Sequence, residues 1–206
     1  AAGTQSGLVL FDISDPSQPV ELNQVPIPPG VLHLAVRGHL IYYTTHLEFG
    51  IYDITDPLNP LQVHTVAGAA AEIAVAGELL AVQRLNGVSL YSLANPESPV
   101  LLASLAENAQ PVFLDATRLA LLASGFAIYD ITDPANPRLT GRLWLGGLLG
   151  RPNHAGRNLG GGPQMIQLSL DGRRLYVTNS LYSSWDNQFY PGLRSWLMRV
   201  NCRPEG

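Results

Sequence analysis

Five histidines (His33, His39, His46, His64 and His154) and one cysteine (Cys202) are the side chains of this 206-residue chain best suited to hold a metal or act as a nucleophile. Imidazoles make a metal centre when they converge within about 2 Å of one ion, usually from one face of a fold. No two of these histidines stand at a ligand-type local spacing, so any pair must be assembled by the tertiary structure. His46 and His154 fall in expected loops and form the candidate metal pair; His39 falls at an expected hairpin tip and His64 inside an expected strand. Solvated loop histidines are the competing reading. A single cysteine excludes an internal disulfide and a cysteine-rich zinc site. Arg203 beside Cys202 would favour the thiolate if the two groups were close. An ordinary strand-end cysteine is the simpler expectation.

Other groups are weaker signals. Trp185, Asp186, Gln188, Phe189 and Tyr190 set aromatic walls beside polar tips, which a small-ligand pocket requires, with Trp185, Asp186, Gln188 and Tyr190 as the candidate ligand-binding residues. Packing of the same aromatics against the fold explains their presence equally well. Gly160-Gly161-Gly162 lacks the Lys-Ser/Thr of a phosphate loop and precedes an expected strand, not a helix. No Gly-x-Ser-x-Gly elbow is present. The pairs Asp12/Asp15, Asp53/Asp56 and Asp130/Asp133 recur in register, and that repetition points to turn formation, since a catalytic pair is needed once.

These residues must be positioned by a repeat. Four segments align without gaps: GLVLFDISDPSQP from Gly7, EFGIYDITDPLNP from Glu48, GVSLYSLANPESP from Gly87 and GFAIYDITDPANP from Gly125, at intervals of 41, 39 and 38 residues. Each reads as a strand stopped by an Asp-Pro or Asn-Pro turn, because proline fixes φ and lacks a donor. A second strand follows, then a hairpin with its tip at Gly38, Gly77, Ala116-Thr117 or Asp171-Gly172. Four short strands in about 40 residues is the period of a β-propeller blade, which buries a core only by stacking on its neighbours. The expected fold is all-β, a propeller of four to five four-stranded blades, in a single domain over 1–206. A fifth copy of the repeat strand at 196–200 follows the four periods, so the chain is expected to be part of a larger propeller.

Composition agrees. Hydrophobic residues are 46% and charged residues 14%, with 20 Gly and 16 Pro, which excludes disorder and disfavours a helical bundle. No apolar run approaches the roughly 20 residues that cross a bilayer, so a soluble chain, cytoplasmic or periplasmic, is expected. Residues 1–125 hold three Arg against eleven acids and residues 126–206 nine Arg against five. The arginines are scattered, forming no basic stripe, and nucleic acid is not an expected partner.

The strand with its Asp-Ile/Val-Ser/Thr-Asp-Pro turn resembles the LVIVD-type propeller repeat over residues 7–145. The segment GGPQMIQLSLDGRRLYVTNSLYSSWDNQFYPGL, from Gly161 to Leu193, resembles the signature of the 56-kDa selenium-binding protein family, which includes methanethiol oxidase. Tyr129 to Gly147 and Trp196 to Asn201 are similar to its flanks, so the resemblance spans 126–201 and divides the domain into 1–125 and 126–206. It implies a propeller whose relatives oxidise methanethiol to formaldehyde, hydrogen peroxide and hydrogen sulfide with histidine-bound copper, and whose name records selenium association. Copper or selenium is thus the implied cofactor and a small thiol or selenium compound the implied ligand. The family's His- and Cys-bearing motifs of its N-terminal half have no counterpart in residues 1–125. Two functions stay open: thiol oxidation of the methanethiol oxidase type, and a non-catalytic LVIVD-repeat propeller that binds a protein partner or serves a structural role.

Overall fold

The computed structural model describes the chain apart from residues 124, 146–155, 157–158, 180–185, 193–194 and 203–206, and the side chains of 163, 164, 186 and 187. It divides between Pro111 and Val112 into two compact units.

The first unit holds β1 (Ala2–Thr4), β2 (Gly7–Asp12), β3 (Val20–Pro26), β4 (His33–Arg37), β5 (Leu40–Thr44), β6 (Glu48–Asp53), β7 (Leu61–Ala67), β8 (Ala70–Ala76), β9 (Leu79–Arg84), β10 (Gly87–Ser92) and β11 (Val100–Leu105). They form antiparallel sheets in chain order: β1-β2-β3, then β4-β5-β6-β7, then β8-β9-β10-β11. The second unit takes up β12 (Gln110–Phe113), which spans the boundary, and continues through β13 (Arg118–Leu122), β14 (Gly125–Asp130), β15 (Arg138–Trp144), β16 (Pro163–Leu168), β17 (Arg174–Asn179), the one-turn α1 (Asp186–Phe189) and β18 (Leu197–Asn201). Its sheets are β12-β13-β14-β15 and β16-β17-β18. This is the all-β propeller pattern, with three-stranded sheets first and last among the described strands. The three-residue β1 carries no alternation and is invisible in the sequence.

Hairpin and turn chemistry explain the strand limits. Gly38 and Gly77 sit at φ 60° and 55° in the first position of two-residue tips, a conformation a side chain resists. At three of the four repeat turns, the first Asp holds a backbone N–H two residues on: Asp12 to Ser14 at 2.8 Å, Asp53 to Thr55 at 2.7 Å and Asp130 to Thr132 at 2.9 Å. The second does the same, Asp15 to Ser17 at 3.0 Å, Asp56 to Leu58 at 3.0 Å and Asp133 to Ala135 at 3.1 Å, so the aspartate pairs build turns. The Thr132 hydroxyl and N–H, with Arg138, hold Asp130 at about 2.

Every ladder between a repeat strand and the strand after its turn shifts register at the same place: Leu10/Phe11, Ile51/Tyr52, Leu90/Tyr91 and Ile128/Tyr129. One extra residue on the outer strand makes a bulge there, which twists the sheet and resets its alternation. Val63 and the paired His64 are therefore both half-buried in β7.

The second strand of each four-stranded sheet is covered on both faces. In β5, Leu40 and Tyr42 join Phe49, Ile51, Leu80, Val82, Tyr91 and Leu93 between the second and third sheets. The alternate residues Ile41 and Tyr43 pack with Leu8, Leu10 and Ile27 of the first. This accounts for the near-continuous apolar run Leu40-Ile41-Tyr42-Tyr43, as in any doubly covered strand. In the second unit Leu114, Ala120, Leu122, Phe126, Ile128, Leu175, Val177 and Cys202 make the equivalent core.

Candidate functional site

Each sheet has two kinds of strand end. One carries the hairpin tips and the Asp-Pro turns, the tip end. The other carries the connection from the second to the third strand and the passage to the next sheet; we call it the insertion end. The two long connections of the second unit, 145–162 between β15 and β16 and 180–196 between β17 and β18, both leave their sheets at this end, and we call them the insertions. His46 occupies the matching β5–β6 connection of the first unit.

At that end of the first unit, His33 Nδ1 lies 3.0 Å from Glu72 Oε2, joining β4 to β8 of the adjacent sheet. The His33 N–H donates to Thr44 Oγ1 at 3.2 Å, and the fully buried Thr44 hydroxyl donates to the Ala71 carbonyl next to Glu72. The backbone beneath the pair is thus fixed before the side chains meet. An Nδ1–H held by a carboxylate fixes the tautomer and leaves Nε2 as the basic, ligating nitrogen. The bond to Glu72 raises His33 above its ordinary value of 6.5, against burial, which lowers it.

A pH consequence follows from that sign. Since the folded value exceeds the unfolded one, the pair stabilises the chain fully below the unfolded value and the contribution fades as pH rises through the folded value. In a proton NMR titration His33 should show a midpoint above 6.5 that falls towards it in Glu72→Gln. An unshifted midpoint in the unsubstituted protein would exclude the pair.

His46 is exposed on a loop whose neighbours are tightly held. Thr45 Oγ1 accepts from the N–H groups of Leu47 and Glu48, both at 3.0 Å, and Ala70 N–H donates to the Thr45 carbonyl at 3.0 Å. His154, the other half of the expected metal pair, lies outside the described residues, as does Trp185. Asp186 opens α1, with its side chain outside the description, while Gln188, Phe189 and Tyr190 are exposed. The two insertions are tied to each other: Trp196 Nε1 donates to the Gly160 carbonyl at 2.9 Å, and the buried Asn179 donates its N–H to the Trp196 carbonyl at 3.0 Å. Gly161, at φ 101°, packs against the Asn179 side chain, leaving no room for a Cβ. Within the Gly160-Gly161-Gly162 run, Gly161 thus serves close packing, while a Cβ at Gly162 would meet open space.

Cys202 is buried, and burial pushes its thiol up, so it is a packed thiol in the core of the second unit. Reasoning from the sequence missed Glu72, a lone acid within the apolar strand β8 whose partner lies 39 residues away. It also missed a group at the tip end: donor atoms of His39, Asp53 and Glu97 lie within 4.8 Å of one another, the one such group of three or more among the described residues.

Stacked four-stranded antiparallel sheets repeated along the chain define the propeller class. A solved structure, the hypothetical selenium-binding protein from Sulfolobus tokodaii, shares this fold at TM-score 0.71 and 22% identity, covering 96% of this chain and 57% of that one. Within the class, residues 118–206 match the family described as 56kDa selenium binding protein (SBP56), and residues 2–26 match the LVIVD repeat. Selenium-binding protein 1 of Arabidopsis thaliana is 53% identical over 81 residues, covering 31% of this chain and 16% of that protein. Methanethiol oxidase of Xenopus tropicalis is 45% identical over 116 residues, covering 48% of this chain and 24% of that protein. The chain thus spans a quarter or less of these relatives, and its similarity to the selenium-binding proteins lies in the C-terminal part of the propeller.

Proposed function

We propose that this chain contributes to oxidation of a small thiol of the methanethiol type. The observation that carries this reading is the 45% identity over 116 residues to a methanethiol oxidase, together with the family match over residues 118–206. Both insertions of that segment leave at one end of the strands, where loops of a rigid scaffold characteristically bind ligands. In this reading Trp185, Asp186, Gln188 and Tyr190 receive the thiol, and His46 and His154 hold copper. Copper, when bound, supplies the redox chemistry with dioxygen. Within the first unit, His33 is a second histidine at the strand ends that carry His46, and its Nε2 is oriented by Glu72.

The test is incubation of the purified chain with methanethiol and dioxygen, with and without added copper, following peroxide and sulfide. Release of both, lost in His46→Ala, is expected. Failure to produce either under any metal condition would overturn the enzymatic reading.

A further inference from the structure

We infer that His39, Asp53 and Glu97 form a binding site for a first-row divalent cation, with zinc(II) as its probe, at the tip end of the first unit. One imidazole nitrogen and two carboxylate oxygens lie within 4.8 Å of one another. Around tetrahedral zinc, with bonds of about 2.0–2.2 Å, ligand atoms sit roughly 3.4 Å apart. Closure therefore needs side-chain adjustments on the order of 1 Å. His39 and Glu97 are exposed and Asp53 is half-buried, so two of the three have rotamer freedom and solvent can supply a fourth ligand.

The backbone beneath all three is already held. The Ile54 N–H donates to the His39 carbonyl at 2.8 Å, which fixes the hairpin tip beside the end of β6. Asp53 uses Oδ1 for the Thr55 N–H, a bond that does not involve Oδ2. Glu97 comes from the next sheet, on the Asn95-Pro96 turn. That turn is bound back to the sheet of His39 and Asp53: the Tyr42 hydroxyl donates to the Pro96 carbonyl at 3.2 Å and Arg37 Nη1 to the Leu93 carbonyl at 3.0 Å. Bringing two carboxylates this close is unfavourable without a counter-charge, and a divalent ion supplies it.

The repeat gives independent support, because it shows what these positions hold elsewhere. The bond from Ile54 to His39 recurs from Leu93 to Glu78, Ile131 to Thr117 and Cys202 to Arg173, so His39 corresponds to Glu78, Thr117 and Arg173. Glu97 corresponds to Ser17, Leu58 and Ala135, third residues of the other turns. No other pair of neighbouring sheets within a unit combines an imidazole with two carboxylates at these places, among the described residues. The turn chemistry is repeated, but this donor set occurs once. A nitrogen-and-oxygen set without thiolate suits zinc and its first-row neighbours better than calcium, which takes six to eight oxygens. The ion would pin two sheets together at the end opposite His46, and the inference stands apart from the thiol-oxidation reading.

Calorimetric titration of the metal-free chain with zinc(II) should reveal a saturable site. Loss of an outer-sphere partner alone typically weakens metal sites 10-fold or more, so His39→Ala, Glu97→Gln and Asp53→Asn should each weaken it at least roughly tenfold. Asp53→Asn keeps the turn acceptor, and circular dichroism verifies that each variant is folded. Glu78→Gln, at the tip position equivalent to His39 in the next sheet, should bind zinc as the unsubstituted chain does, and the zinc-induced rise in melting temperature should persist there and shrink in all three site variants. Absence of saturable binding, or affinity in the three site variants equal to that of the unsubstituted chain, overturns the proposal.

Discussion

Gly87→Ala is expected to destabilise the first unit by about 3–5 kcal/mol, adding a strained backbone to an overlap in a packed ladder, each worth roughly 1–3 kcal/mol. Gly87 opens β10 at φ 147°, and a Cβ there would overlap the Leu105 carbonyl oxygen of the paired strand β11. Leu105 is held in register opposite Val88, so neither strand can move aside without breaking the ladder. Gly7, at φ 142°, meets the Val25 carbonyl in the same way. The corresponding residue of the second repeat is Glu48, and no non-glycine residue among the described residues has a positive φ, so a side chain is accepted there only with a different backbone. The reference is Gly38→Ala: that tip glycine has φ 60° and open space around it, and should lose only about 1–2 kcal/mol. Urea unfolding of the two variants decides the matter. If their midpoints fall equally, the overlap at Leu105 is not what fixes Gly87.

Phe49→Ala should cost about 3–5 kcal/mol, the range for removing a fully buried aromatic. The ring is wholly buried between the second and third sheets. It meets Tyr91 edge-on at 5.2 Å, and the Arg84 guanidinium lies 5.0 Å above its face. That guanidinium also donates to the Gly68 carbonyl at 2.8 Å and to the Tyr91 hydroxyl at 3.2 Å. Removing the ring therefore leaves a cavity and strips a cation of its π-face, a contact worth roughly 0.5–2 kcal/mol. Phe49→Leu fills most of the volume and restores no π-face, so it should recover more than half of the loss. Thermal and urea denaturation measure both. A loss below 1 kcal/mol for Phe49→Ala would mean that the two sheets do not depend on this contact.

How far the sequence reveals this molecule depends on whether the determining contact is local. Asp53, Asp56 and their counterparts bond within two residues, so their spacing alone predicts the turns that stop the strands. The hairpins at Gly38 and Gly77 are local in the same sense, and the doubly buried β5 shows as an unbroken apolar run. The bulge at Ile51/Tyr52 was not legible: an extra residue in β7 looks in sequence like an ordinary irregularity of alternation until the partner strand is known. The site was less legible still. His33 and Glu72, and His39 and Glu97, come from adjacent sheets and distant stretches of chain, and no spacing rule links them. Of the candidates singled out by residue type, His46 is exposed on the β5–β6 connection of the first unit and Gln188 and Tyr190 are exposed on the β17–β18 connection of the second, whereas His154 and Trp185 fall outside the described residues.

The recurring bond between each hairpin tip and the residue after the following repeat strand has an evolutionary consequence. A sheet takes its first hairpin from one sequence repeat and its remaining two strands from the next, so the genetic and folding units are half a period out of step. Loss of residues 48–86 by unequal recombination would remove β6 to β9 and join Leu47 to Gly87. The β4-β5 hairpin would then lie beside β10 and β11, equivalents of the strands it lost, with Glu78's counterpart His39 now facing Leu93. A four-stranded sheet would be restored in one step, so such an array can gain or lose a whole sheet without passing through an ancestor that exposes an unpaired strand.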